Sequence, residues 1–427
     1  SILTMVSLDQ LSVPVSQKPD NDMLQNATPG RWNRAPIADE WICDVASKLG
    51  VSPPEANSSI FNSLHKALIM RDDLADELAS WFKQDKANSK IFDAFVAGDT
   101  SSLSTIPPVL IRLEDELLSK RPAWADPEKM IVGANAHFRI GMPGRLASGT
   151  LGLLDGYRSA PVAKVLTMTG SLDSATAKRL QETTHFFNEI IMSDGMKRES
   201  DGFRAALKVR LVHSFVRHGL AKSKRWDADK WGMPINIMDS LGTAMSFWIP
   251  IVLAARTFGY SVSEDEAEGM MTLWNYVGYL QGVPEELLPT SLAETYEVYL
   301  GILMQIGEPD NDSVKLAKAY IGAAAQRGGS SSWLSEKMVT GAAARLLPAS
   351  HRKELEVPNT LFRYWPDIFR PVIRKKDRAC QSSPQSYRAA VEEGRALFEQ
   401  EMGEVVTAQT SYDPTKVIKD HSALQGA

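Results

Sequence analysis

The chain has 427 residues, of which 44% are hydrophobic and 23% charged, and its formal net charge is -5. These are the proportions of a globular protein, which excludes wholesale disorder. No long basic block appears, which excludes an electrostatic footprint for nucleic acid. Cys43 and Cys380 are the two cysteines, and no CxxC occurs, so a thiolate zinc site and a disulfide framework are excluded.

In chain order, residues 1–35 are polar and rich in Ser, Pro, Asn and Asp, and read as a flexible arm. Residues 1–20 lack a basic stretch followed by an apolar core, so no signal peptide is visible. The expectation is a cytoplasmic protein, with a processed exported form left open because the chain starts at Ser. Helical periodicity begins near Ala38. Pro53-Pro54, Pro107-Pro108 and Pro127 stand where helices start, since proline is tolerated in a first turn. Amphipathic segments lie between them at 60–70, 74–82 and 91–96.

Apolar residues are densest between Ala123 and Leu347. The pattern predicts helices near 126–140, 172–192, 201–219, 236–259, 263–281, 291–307 and 312–326, separated by Gly- and Pro-rich breaks. No period-two alternation persists, so the fold class is all-α, without a sheet. The longest uncharged stretch, Ser240–Ala255, is interrupted by Pro250. It falls short of the roughly 18–20 apolar residues that cross a bilayer, and so reads as a buried core helix. Residues 358–402 are again helical but more basic. The expected organisation is one large helical domain over 36–404 and a tail over 405–427.

The stretch Lys208 to His218 is the most informative. Arg210, His213 and Arg217 are spaced i, i+3, i+7 and share one helix face, with Val209, Val212, Phe215 and Val216 around them. Two cations depress the pKa of a histidine and favour the neutral imidazole, the form that ligates metal. The arginines could pair with the carboxylates of a cofactor. Equally, His213 could be a packed histidine, with the arginines paired to acids on a neighbouring helix.

One helix earlier, Arg179 and Thr183 share a face on which they could hold an anionic or oxygen-bearing ligand. Glu182 and His185 form a single Glu-x-x-His pair. Di-iron bundles use that pair twice, so a di-iron reading fails on count. Asn236 or Asp239 could cap the helix after Trp231-Gly232-Met233-Pro234. Trp274, Tyr276 and Tyr279 read as core. No nucleotide-binding glycine loop, Gly-x-Ser-x-Gly elbow or His-Glu-x-x-His is present.

Taken in order, Arg179-x-x-x-Thr183, Arg210-x-x-His213-x-x-x-Arg217, Gly232-x-Pro234-Ile235-Asn236, Trp274-x-x-x-Gly278 and Gly282-Val283-Pro284-Glu285 resemble the rubber oxygenase family, which includes latex clearing protein. The similarity covers roughly residues 105–350. It implies an all-helical fold enclosing a b-type haem, with His213 as proximal iron ligand and Arg210 and Arg217 as the flanking cofactor-side arginines. Arg179 and Thr183 match the family's paired pocket residues. Where latex clearing protein carries a lysine before the threonine, this chain has Glu182. A distal lysine ligand is therefore not expected, Glu182 becomes a candidate for proton handling, and polyisoprene is not the indicated substrate. The resemblance implies a haem-dependent oxygenase acting with dioxygen on an apolar, alkene-bearing, isoprenoid-like small molecule. Two alternatives stand beside it: a haem-dependent dehydratase, lyase or peroxidase, and a non-catalytic helical haem-binding protein.

Overall fold

The computed structural model describes residues 28–101, 105–119, 121–169, 172–327 and 332–410. Among these the regular elements are all helical. The first four are α1 (Glu40–Leu49), α2 (Ser59–Ile69), α3 (Asp73–Phe82) and α4 (Asn88–Val96). Side chains of Asp39, Ser58 and Asp72 accept from the first free N–H groups of α1, α2 and α3, which fixes where each begins. Next come α5 (Pro108–Leu113), continued by a π-turn at Glu114–Leu118, then α6 (Pro127–Ile140) and α7 (Met142–Ala147). A π-segment Ser148–Leu154 and a 3-10 turn lead to α8 (Ala160–Met168).

The central layer holds α9 (Leu172–Ile191) and α10 (Asp201–Ala221), with the one-turn α11 (Ala228–Trp231) leading to α12 (Ile237–Ser246). It continues through α13 (Ile249–Phe258), α14 (Glu264–Leu280) and α15 (Leu292–Leu303). The outer helices are α16 (Asn311–Arg327), α17 (Ser332–Leu346), α18 (Ala349–Glu354), α19 (Trp365–Cys380) and α20 (Pro384–Thr410).

Helices α6 and α14 cross in backbone contact. A Cβ on Gly133 would stand 2.3 Å from the carbonyl carbon of Gly269, so the two backbones touch and neither glycine can carry a side chain. At one end of this crossing Arg139 is clamped by Glu266 on α14 and Asp377 on α19, at 2.8 and 2.6 Å, with all three side chains buried. The Tyr387 hydroxyl on α20 donates to the same Glu266 at 2.8 Å. One buried network thus ties four helices together.

The expected helix over 236–259 is two helices. Pro250 has no N–H to bond back into the preceding turn, and its ring crowds the carbonyl four residues earlier, so the chain breaks at Phe247–Trp248. Both halves are core. The span Ile237–Phe258 is long and apolar enough to cross a membrane, yet most of it is buried inside the protein.

Arg31 makes two hydrogen bonds of 2.8 Å to Asp239, and Asn33 exchanges hydrogen bonds with Gln305, so this end of the segment read as an arm is packed against α12 and the end of α15. Helix α20 runs on to Thr410, past the expected start of the tail at 405. Residues 1–27 and 411–427 lie outside the described residues.

Candidate functional site

Helix α10 begins with Ser200, whose hydroxyl accepts from the Phe203 N–H, and its buried face is seated against α3, α9 and α14. What holds α10 is a set of ion pairs with α3. Arg210 donates from Nε and Nη2 to the two oxygens of Asp72, both at 2.7 Å, a bidentate match of guanidinium to carboxylate. Arg217 donates to Asp76 Oδ1 at 2.8 Å, and the Ser214 hydroxyl donates to the same oxygen at 2.7 Å. Asp76 also receives Arg71 at 3.0 Å.

Both acids lie at the start of α3, where unpaired N–H groups favour negative charge. Burial alone would raise the Asp72 carboxyl. The Arg210 charge and hydrogen bonds, the Arg217 charge and the Ala75 N–H outweigh it and hold the carboxyl below its usual range. The arginines flanking His213 therefore pair with acids of a neighbouring helix, one of the alternatives that spacing left open.

His213 sits between these anchors. Burial, and after it the Arg217 charge, pushes its pKa down to about 4, with Asp72 opposing, so the imidazole is neutral at physiological pH. Its ring makes no hydrogen bond to any described residue, while nearby His218 bonds the Ser214 carbonyl at 2.8 Å. His213 lies deep among protein atoms, yet part of its surface stays uncovered, as do Val209, Val212 and Val216 on the same helix. His213 is thus desolvated without being fully covered, and its neutral imidazole, unpaired among the described residues, keeps a lone pair that a ligand could take.

On α9, Arg179 and Glu182 are likewise deep but incompletely covered, and Thr183 is half-buried. Arg179 donates to the Leu166 carbonyl and the Thr169 hydroxyl at the end of α8, closing that helix C-terminus with a cation. Burial raises the Glu182 carboxyl above its usual value, opposed by Lys178 and Arg179; the Lys178 amine is 3.8 Å away. The Thr183 hydroxyl has no partner among the described residues. Glu182 does not pair with His185, whose Nε2 instead lies 3.1 Å from Glu189 one turn on.

Helices α9 and α10 pack against each other, so the structure puts the two predicted groups on adjoining helices. It does not join them by a hydrogen bond. The charges acting on His213 come from Arg217 and Asp72, and those acting on Glu182 from Lys178 and Arg179.

Several participants were not predicted from the sequence. Asp72 and Asp76 carry the α10 anchors, signalled only by the acid-rich Asp72-Asp73 and Asp76 beside Arg71. Tyr157 is buried, with its phenol pushed well up by burial and then by Tyr320, and it lies within electrostatic reach of Arg179. His137 on α6 is enclosed, held neutral by burial at a pKa of about 3, and accepts from Trp274 Nε1 at 3.0 Å. Trp274 stacks on Phe247 at 4.3 Å and on Phe187 of α9 at 5.5 Å, a ring column that fixes one end of α9 against α14. Trp274 and Tyr276 are core as expected, and Asn236 caps α12 by accepting from the Asp239 N–H at 2.9 Å. No group of three or more His, Cys, Asp or Glu that could hold a bare metal ion occurs among the described residues.

Three comparisons bear on this arrangement. The family model described as ER-bound oxygenase mpaB/B'/Rubber oxygenase, catalytic domain, matches residues 136–374, which include α9, α10, α12 and α14. A rubber oxygenase of Streptomyces sp. (strain K30) is 25% identical over 178 residues, 40% of this chain and 42% of that protein, so the alignment spans less than half of the curated relative. The solved structure of latex clearing protein LCP in the closed state superposes with a TM-score of 0.61 at 17% identity, covering 78% of this chain and 90% of that one, which establishes a shared fold. With the family model covering more than half of the sequence, the chain belongs to the family of the ER-bound oxygenase mpaB/B' and rubber oxygenase catalytic domain.

Proposed function

We propose that this protein is a haem b-dependent oxygenase in which His213 would hold the iron, acting with dioxygen on an apolar, alkene-bearing small molecule. The observation that carries the reading is the His213 imidazole: neutral, desolvated, partly uncovered and without a hydrogen-bond partner among the described residues, in a chain of an oxygenase family. The donor set fits a porphyrin-held iron. One protein nitrogen would suffice to hold an iron that a macrocycle already binds, and a neutral imidazole is a common donor to haem iron. When bound, the haem supplies the activation of dioxygen, chemistry that no side chain here provides.

The chain's own residues do the rest. The Arg210–Asp72 and Arg217–Asp76 pairs hold α10 in rotation and height, which fixes where the His213 imidazole stands. Because both guanidinium groups are already engaged with carboxylates, these arginines act through the helix rather than as principal partners of haem carboxylates. Arg217 also keeps the imidazole unprotonated, so its lone pair stays available well below neutral pH. On α9, burial favours the protonated Glu182 carboxyl, which makes it a group able to give a proton and take it back. Arg179, fixed to the end of α8, moderates that carboxyl. Thr183 offers a free hydroxyl one residue along. The partly uncovered valines on α10 present apolar surface suited to an apolar ligand.

Haemin titration of the purified chain followed by turnover of candidate alkenes under isotopically labelled dioxygen tests this reading. The expected result is stoichiometric haem and label in the product. Haem uptake with products that carry no label would point instead to a haem-dependent lyase, dehydratase or peroxidase. Replacing Glu182 with Gln keeps the shape but removes the titratable proton, and should lower kcat by about 100-fold with the haem spectrum unchanged.

A further inference from the structure

Helix α19 is fixed to the body on one side and open on the other. Asp377 on its inner face binds Arg139 at 2.6 Å and the Ser261 hydroxyl at 2.8 Å. At its start Trp365 donates to the Met338 carbonyl at 2.9 Å. These contacts set the rotation of the helix, so its outward side chains cannot turn inward. That outward side carries Ile368 and Val372, spaced i, i+4, at 69% and 64% exposure, beside exposed Phe369 and Pro371. Just upstream, Leu361 is 85% exposed and Tyr364 is also open. Isolated exposed apolar residues are ordinary, but a contiguous strip of this kind marks a surface made to be covered.

The strip is bordered by cations. Residues 361–380 hold six Lys or Arg and two Asp, in a chain whose overall charge is -5. Both acids are engaged, Asp377 with Arg139 and Asp367 with Arg345 and Arg370. Arg374, Lys375 and Arg378 make no ion pair among the described residues. With Asp367, Arg370 and Pro371 they line an open groove of about 460 Å³.

From this we infer that the outward face of α19, with Leu361 and Tyr364, is a membrane-surface site. It lies in the headgroup layer of an anionic bilayer, with Ile368, Phe369 and Val372 dipping into the acyl boundary and the basic groove holding lipid phosphates. Apolar side chains along one strip with Lys and Arg at its border are the composition of a helix that lies in the interface plane without crossing it. Long basic side chains extend toward headgroups while their stems cover apolar surface. Charge decides between occupants. A symmetric second copy would set the Arg374, Lys375 and Arg378 cluster against itself, and an anionic lipid surface neutralises it. The aliphatic strip likewise suits acyl chains better than the stacked bases of a nucleic acid. The inference does not rest on the haem reading.

The test is co-sedimentation of the full chain, in whatever haem state it is purified, with phosphatidylcholine vesicles lacking or containing a quarter phosphatidylserine. The account expects sedimentation with the anionic vesicles that weakens as salt is raised, and little with the neutral ones. Each basic residue near an anionic surface contributes about fivefold, so Arg374→Gln, Lys375→Gln and Arg378→Gln together should lower partitioning on the order of 100-fold. Ile368→Ser with Val372→Ser should lower it at least about tenfold. All five positions are exposed, so the unfolding midpoint of each variant should match the parent. Equal binding to neutral and anionic vesicles, no binding to either, or variants that sediment like the parent would overturn the proposal. So would a dimer in solution that Ile368→Ser dissociates, or capture by nucleic acid or an acidic protein that outcompetes the vesicles.

Discussion

Replacing Asp72 with Ala should be among the most damaging single changes near the site. Both Asp72 oxygens take Arg210 N–H groups at 2.7 Å, and one also accepts the Ala75 N–H at the start of α3 at 3.1 Å. Removing the carboxylate leaves the Arg210 guanidinium buried without its counter-charge, and Nη1 has no partner even in the parent. Breaking a buried pair in this way costs about 3–5 kcal/mol, and the lost helix cap adds about 1 kcal/mol. The sum, roughly 4–6 kcal/mol, is a large part of the ~5–15 kcal/mol that holds a typical domain folded.

Urea unfolding compares the parent with Asp72→Ala, Arg210→Met and the double variant Asp72→Leu with Arg210→Met. The double variant buries neither charge and should recover most of the loss. Haemin binding followed on the same four proteins separates two roles for Arg210. As a helix anchor, it should leave haem affinity near the parent value once stability is restored. A loss below about 1 kcal/mol in Asp72→Ala would refute the anchoring argument. A stable double variant that no longer binds haem would place Arg210 on the cofactor instead.

Two other outcomes follow from the packing and the buried imidazoles. Gly133→Ala puts a methyl 2.3 Å from the backbone of Gly269, where no side chain can yield, so its cost should reach or exceed the upper end of the ~1–3 kcal/mol usual for overpacking; a thermal midpoint equal to the parent would show that α6 and α14 separate freely. His137 and His213 have folded pKa values of about 3 and about 4, below the ordinary value of 6.5. Their contribution to stability is complete above pH ~6.5 and is lost as pH falls toward ~4 and then ~3. The haem-free protein should therefore weaken progressively across that range, and His137→Gln should flatten the slope of midpoint against pH; an unchanged slope would mean that His137 is not buried neutral.

Much of the helical layout was legible in the sequence because its signals are local. Pro107-Pro108 and Pro127, at the starts of α5 and α6, are read within a few residues. The break at Phe247–Trp248 was written in Pro250, but the unbroken apolar run on both sides masked it. The π-segment Ser148–Leu154 gave no sequence cue. Its glycines report close approach to distant groups, since a Cβ on Gly149 would meet the Tyr320 hydroxyl at 2.2 Å and one on Gly152 the Ser246 carbonyl at 2.4 Å.

At the candidate site, spacing placed His213, Arg210 and Arg217 on one helix face, the family resemblance singled them out as candidates, and neither told what the arginines bind. Asp72 and Asp76 stand 138 and 141 residues away in the chain, and only folding brings them beside α10. Arg179 shows the same limit. Its partners belong to the end of α8, and a helical-face argument cannot separate that closing role from ligand binding.

The decisive measurement is the visible absorption spectrum of the haemin-reconstituted protein compared with His213→Ala, each checked for native helical content by circular dichroism. The account predicts a sharp Soret band with six- or five-coordinate iron–histidine character in the parent, its loss or collapse in the variant, and its recovery when free imidazole is added. An identical spectrum in a folded His213→Ala protein, or a parent that takes up no haemin, would contradict the assignment of His213 to iron.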